Sequence, residues 1–270
     1  MFSPKALNGV NFLRAKLPKP TDSYKDCFMT FSNPLDLFLT PLDQVAIVWF
    51  LLLSIIYSWW VEHGPMHEKT LSAYMNAQRE NWLRETLRRD HRIVDATIIT
   101  GLQNGTAFFA SASLLAIGGC FALLRASNEI FTALQELPVG ISGDLHQLEM
   151  KLFGLALIFA YAFFKFGWSF RLLNYNAILI GAIPPLEHFG TEEGEKAVQK
   201  ALAMSQNAGK HFNRGLRTFF FALGFIGWFI GPIYFMVATT WITLVLYRRQ
   251  FYSSSLRGIC LLYTSDAADE

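Results

Sequence analysis

Two cations embedded in an apolar stretch pose the first chemical question. Residues 159–181 read FAYAFFKFGWSFRLLNYNAILIG, with Lys165 and Arg171 set among aromatic and aliphatic side chains. A charge inside a membrane-length segment is expensive, and such groups often mark a ligand or a partner. Other polar groups converge with them in a helical reading: Arg92 and Asp95 at the end of one basic loop, Asn174 and Asn176 just past Arg171, and His211, Asn213 and Arg214 in HFNRGLR. Guanidinium forks and amide donors suit phosphate oxygens. These nine residues form a candidate site for an anion or a lipid headgroup. The competing reading is structural, with salt bridges and hydrogen bonds tying helices together and a general attraction to anionic lipid.

Other chemistries find less support. EHGPMHE, residues 62–68, gathers two carboxylates and two imidazoles, but Gly64-Pro65 breaks the helical spacing that would align His63 with His67. No metal site and no cofactor are expected. Cys27, Cys120 and Cys260 show no paired spacing. No GxSxG, HExxH or phosphate-loop pattern occurs. His211 or Asp95 would be the acid/base of an enzyme acting on lipid-linked phosphate, but no nucleophile is paired with either.

The elements that must position these residues follow from composition. Of 270 residues, 52% are hydrophobic and 16% charged, against about 25% charged in a soluble domain. A net charge of +2 gives no footprint for nucleic acid. A hydrocarbon core of roughly 30 Å needs about 20 apolar residues, and four stretches qualify, near 44–61, 106–124, 152–170 and 218–246. The last is longer than one bilayer and must tilt, protrude or kink at Gly231-Pro232. The fold class is therefore all-α, a polytopic membrane bundle of about four spans.

Loops 62–105 and 171–217 carry most of the Lys and Arg, which places both in the cytoplasm and both termini outside. Arg248 and Arg249 stand against that layout, as does the basic arm at 1–28. The third helix then runs inward, with Lys165 about 21 Å and Arg171 about 30 Å from Lys151. Arg171 reaches the headgroups; Lys165 either snorkels toward them or faces the bundle interior.

Residues 70–100 favour helix, with Arg84, Arg88, Arg92 and Asp95 on one face. The third helix continues past Arg171 to Pro184-Pro185, and 192–217 forms another helix, so the bundle extends into a cytoplasmic helical layer. Gly227-xxx-Gly231, Ala112-xxx-Ala116 and Gly118-xxx-Ala122 permit close helix approach and a homo-oligomer. Residues 1–34 read as a disordered arm, with Met29 a plausible start, and 258–270 as an adapter-like, non-native tail. Residues 35–257 make one membrane domain.

RRDHRIVDATII, GTAFFASASLLAIGG, IFAYAFFKFGWSFRLLNYNAILIGAIP, HFNRGLRTFFFALGFIGWFIGP and LVLYRRQFYSSSLR together resemble the bacterial inner-membrane family catalogued as domain of unknown function 599, over roughly residues 35–257. The resemblance implies a multi-span protein of the bacterial inner membrane and adds no activity. Three classes of function stay open. They are a non-enzymatic oligomeric scaffold or lipid-associated assembly factor, an oligomeric transporter or channel, and the lipid-phosphate enzyme. Their shared partner is the lipid bilayer, anionic lipid in particular; nucleic acid is not one.

Overall fold

The computed structural model of the chain describes residues 39–89, 91–135, 144–253 and 258. The expected arm at 1–34 and most of the tail at 258–270 lie outside them. Seven helices fill the described residues: α1 Pro41–His63, α2 Leu71–Thr86, α3 Ile93–Arg125, α4 Ser127–Gln135, α5 Leu145–Gly181, α6 Glu192–Phe225 and α7 Pro232–Phe251. No strand occurs among the described residues, so the bundle is all-α.

Local chemistry sets the ends. Thr40, Thr70 and Thr191 cap α1, α2 and α6 with their hydroxyls, satisfying backbone N–H groups that the first turn leaves free. Gly64-Pro65, Pro184-Pro185 and Gly231-Pro232 follow the ends of α1, α5 and α6.

Three helices, α1, α3 and α5, are long and apolar enough to cross a membrane. Much of their apolar surface faces outward: Leu115 and Phe164 are more than 70% exposed. Exposed apolar faces of this extent call for a non-aqueous surrounding.

α5 is the central post, and α3 and α6 pack antiparallel along it. Phe109 stacks on Phe166, Gln103 meets Asn174, and Ser169 Oγ donates to the Ala208 carbonyl. α6 comes close because Gly215 faces Phe166, where a Cβ would stand 2.8 Å from the ring. Two apolar centres result. One is rich in phenylalanine, with Phe50, Phe221, Phe225, Phe235 and Trp228. The other, around Leu83, Ile99, Ile180 and Val198, joins α2 to the ends of α3, α5 and α6.

Two expectations change. Residues 70–100 are not one helix: α2 ends at Thr86 and α3 begins at Ile93, so Arg84, Arg88, Arg92 and Asp95 share no face. The break has a cause in Arg92, whose guanidinium turns away to donate to the carbonyls of Ile183 at 2.6 Å and Pro184 at 2.8 Å, just beyond α5.

The stretch 218–246 is likewise not one helix. α6 stops at Phe225, a 3-10 turn covers Ile226–Phe229, and α7 folds back along α6. Gly224 and Gly227 face α7 directly, so the small-residue spacing at Gly227 serves contact within the chain. α7 then runs parallel to α1, with Trp49 Nε1 donating to Thr240 at 3.1 Å, and ends beside α2, where Gln250 Nε2 reaches Ser72 at 3.0 Å. Arg249 therefore lies at the same end of the bundle as Arg79 and Arg217.

Candidate functional site

The structure disperses the nine candidate residues. Arg92 caps α5. Asp95 is fully buried and accepts from Trp82 Nε1 at 2.7 Å and Arg89 Nη1 at 3.0 Å, pinning α2 to the start of α3. Arg171 is exposed on α5, donates to Tyr175 Oη at 2.8 Å and lies over the rings of Trp168 and Tyr175. Asn174, also exposed, accepts from Gln103 at 2.7 Å. Asn176 is fully buried, and neither its amide oxygen nor its nitrogen has a partner among the described residues.

Lys165, His211 and Arg214 do come together. Lys165 is half-buried on the flank of α5 facing α6, beside the interior line of Ala162, Phe166 and Ser169. Its Nζ stands 5.0 Å from the Tyr161 ring centroid, a cation–π contact. Burial, then the charges of Lys165 and Arg214, hold the His211 pKa below its ordinary value. A neutral imidazole is therefore favoured between two cations. Asn213, on the opposite side of α6 from the imidazole, donates to Ser72 Oγ at 3.2 Å and links α6 to α2.

The centre of this region is a residue the candidate set omits. Glu62, at the end of α1, accepts from Arg214 Nε at 2.7 Å and also from Arg214 Nη2 and Arg217 Nη2. Its side chain is 13% exposed and that of Arg217 12%. The hydrogen bond to Glu62 raises the Arg214 pKa. Glu62 is thus committed to two guanidiniums, while His63 stacks on Trp59, which leaves no shared geometry for the EHGPMHE residues. In the sequence Glu62 is the lone acid closing an apolar run, which is a signal of a partner. Nothing local says that the partner lies on α6.

Beside this cluster opens a groove of about 560 Å³. Ile55 and Phe50 of α1 and Leu157, Ile158 and Tyr161 of α5 supply apolar walls. Glu62, His63 and Arg214 form its polar end. The groove is thus apolar along its walls and polar at one end.

The fold and this site define an all-α protein with membrane-length apolar helices and a basic end. The chain belongs to the family described as "Protein of unknown function, DUF599", which matches residues 45–255. No curated protein and no solved structure matches it.

Proposed function

We propose that the protein is a multi-pass component of the bacterial inner membrane that holds anionic lipid at its cytoplasmic face, acting as a non-enzymatic scaffold or assembly factor. The observation that carries this reading is the groove beside Arg214. Its apolar walls match acyl chains and its polar end sits where a headgroup would lie, beside Arg214 and within reach of the Lys165 flank.

The path of α7 supports the orientation. A helix running parallel to α1 along its length crosses whatever α1 crosses, and α6 runs against both. The chain then makes five traversals, and Arg248 and Arg249 end on the side of loops 62–105 and 171–217. These three basic segments then obey one positive-inside rule. Transport would need a pore between chains of an oligomer, since Phe50, Phe221, Phe225 and Phe235 pack between the helices of one chain.

The test is lipid retention. Protein extracted in mild detergent from membranes containing phosphatidylglycerol is expected to carry anionic lipid, read by native mass spectrometry. Ser58→Trp, which fills the groove, and Arg214→Gln should each strip most of it. Retention equal to the parent's in a folded Ser58→Trp variant rules the reading out.

A further inference from the structure

Three arginines line a common cavity at the basic end: Arg79 from α2, Arg217 from α6 and Arg249 from α7. The cavity measures about 200 Å³, room for several waters at about 30 Å³ each or for one phosphate group with part of its hydration. Ser72, Asn213 and Gln250 line the same space, and no acidic side chain is among its described walls.

These cations are short of counter-charge. Arg79 donates to the neutral Asn76 Oδ1 at 2.6 Å, and Arg249 lies over the Phe220 ring at 5.9 Å; neither forms an ion pair among the described residues. Arg217 shares Glu62 with Arg214, and its buried Nε–H meets no acceptor among the described residues. Of the three, only Arg217 draws on a carboxylate, one it shares with Arg214, and a bound anion supplies the charge the cavity wall lacks. Burial pushes the Arg79 pKa down, as expected of an undercompensated cation.

The framework is built to hold these groups. α6 carries Gly209 where a Cβ would stand 2.8 Å from Arg79 Nη1 and 2.9 Å from Nη2, so the helix is cut back to admit the guanidinium. Ser72 Oγ accepts from Asn213 Nδ2 at 3.2 Å and from Gln250 Nε2 at 3.0 Å, which ties α2 to α6 and α7. A hydroxyl that accepts twice keeps its own O–H to donate.

We infer that this cavity binds a phosphate group, supplied either as free phosphate or as the headgroup of a phosphomonoester lipid. Guanidinium forks from three directions engage the tetrahedral oxygens in pairs, and the Ser72 hydroxyl adds a fourth donor. A planar carboxylate, with two oxygens, uses fewer of these donors. The site is separate from the lipid groove, with Glu62 and its two guanidiniums between them, and it does not depend on the groove being occupied.

The experiment uses the full chain in two arms. In nanodiscs of phosphatidylcholine it is titrated with inorganic phosphate by calorimetry. In parallel it is extracted from vesicles containing phosphatidic acid, and retained lipid is quantified. Saturable binding in the first arm identifies a free phosphate, and retention in the second without a calorimetric response identifies the headgroup. Either binding should weaken at least tenfold in Arg249→Gln, an exposed position that leaves the packing intact, and in Arg79→Gln. Gly209→Ala, which displaces the Arg79 head, should weaken it as well. Because the groove would itself retain phosphatidic acid, the lipid arm is run in the groove-filling Ser58→Trp background, which should leave phosphate binding unchanged. The inference is overturned by no binding in either arm, by parent-like binding in the two arginine variants, or by loss of all binding in Ser58→Trp.

Discussion

The two ends of α1 each carry a carboxylate, and they are used in opposite ways. Asp43 and Glu62 lie roughly 28 Å apart along the helix at 1.5 Å per residue. Asp43 is 4% exposed and its acceptors are fully engaged. It accepts from Trp228 Nε1 at 2.6 Å, from Thr40 Oγ1 at 2.6 Å and from the Thr40 N–H at 3.2 Å. The nearby Lys151 is buried too, with Nζ 5.3 Å from the Trp228 ring. One cation faces one anion through an indole, and the corner is closed.

At the other end one carboxylate serves two arginines, further cations stand close by, and three cavities open onto the cluster. A closed, charge-balanced corner is what a helix junction needs. An open corner with surplus cations is what an anion-binding surface needs. Asp95 with Trp82 repeats the Asp43–Trp228 device at the α2–α3 corner, which marks the indole–carboxylate pair as this protein's way of locking helices.

Breaking the Glu62 cluster should have the largest effect. Glu62→Ala strands two mostly buried guanidiniums and is expected to lower stability by about 3 kcal/mol, measured by denaturation in nanodiscs. Added phosphatidic acid or phosphate should recover part of that loss, since an anion that binds the folded state stabilises it. Asp43→Ala at the closed end should gain no more from the anion than the parent does, while Glu62→Ala should gain more; equal gain in both variants would erase the distinction between the ends.

Trp228→Phe tests the lock itself. It keeps most of the apolar ring and removes the N–H, at an expected cost of about 1–2 kcal/mol, with anionic-lipid retention unchanged.

The smallest effect is expected from His211. Its pKa is lowered in the folded state, so the unfolded chain binds the proton more tightly. The contribution of the neutral imidazole is complete above the ordinary histidine pKa, about 6.5, and declines as pH falls through that value toward the folded one. Unfolding midpoints measured from pH 8 to pH 5 should drop less in His211→Gln than in the parent.

Much of the architecture was legible in the residues. Charge-free apolar runs determined α1 and the cores of α3 and α5, because a membrane-length helix announces itself by composition alone. Gly64-Pro65 and Pro184-Pro185 marked the ends of α1 and α5, because a proline stop is local chemistry. The family could be named from motifs. Only the tertiary structure decided which polar residues meet. Arg92 looked like a site residue and is a helix cap, since the carbonyls it satisfies lie about 90 positions away in the chain. Glu62 looked like a turn residue and is the hub of the basic end, since its partners come from α6. Arg249 looked misplaced until the reversal after Phe225 carried α7 back beside α2. Helix formation depends on neighbours in sequence, whereas pairing of charges depends on which helices pack. That packing was set here by glycines and phenylalanines whose contacts no spacing rule records.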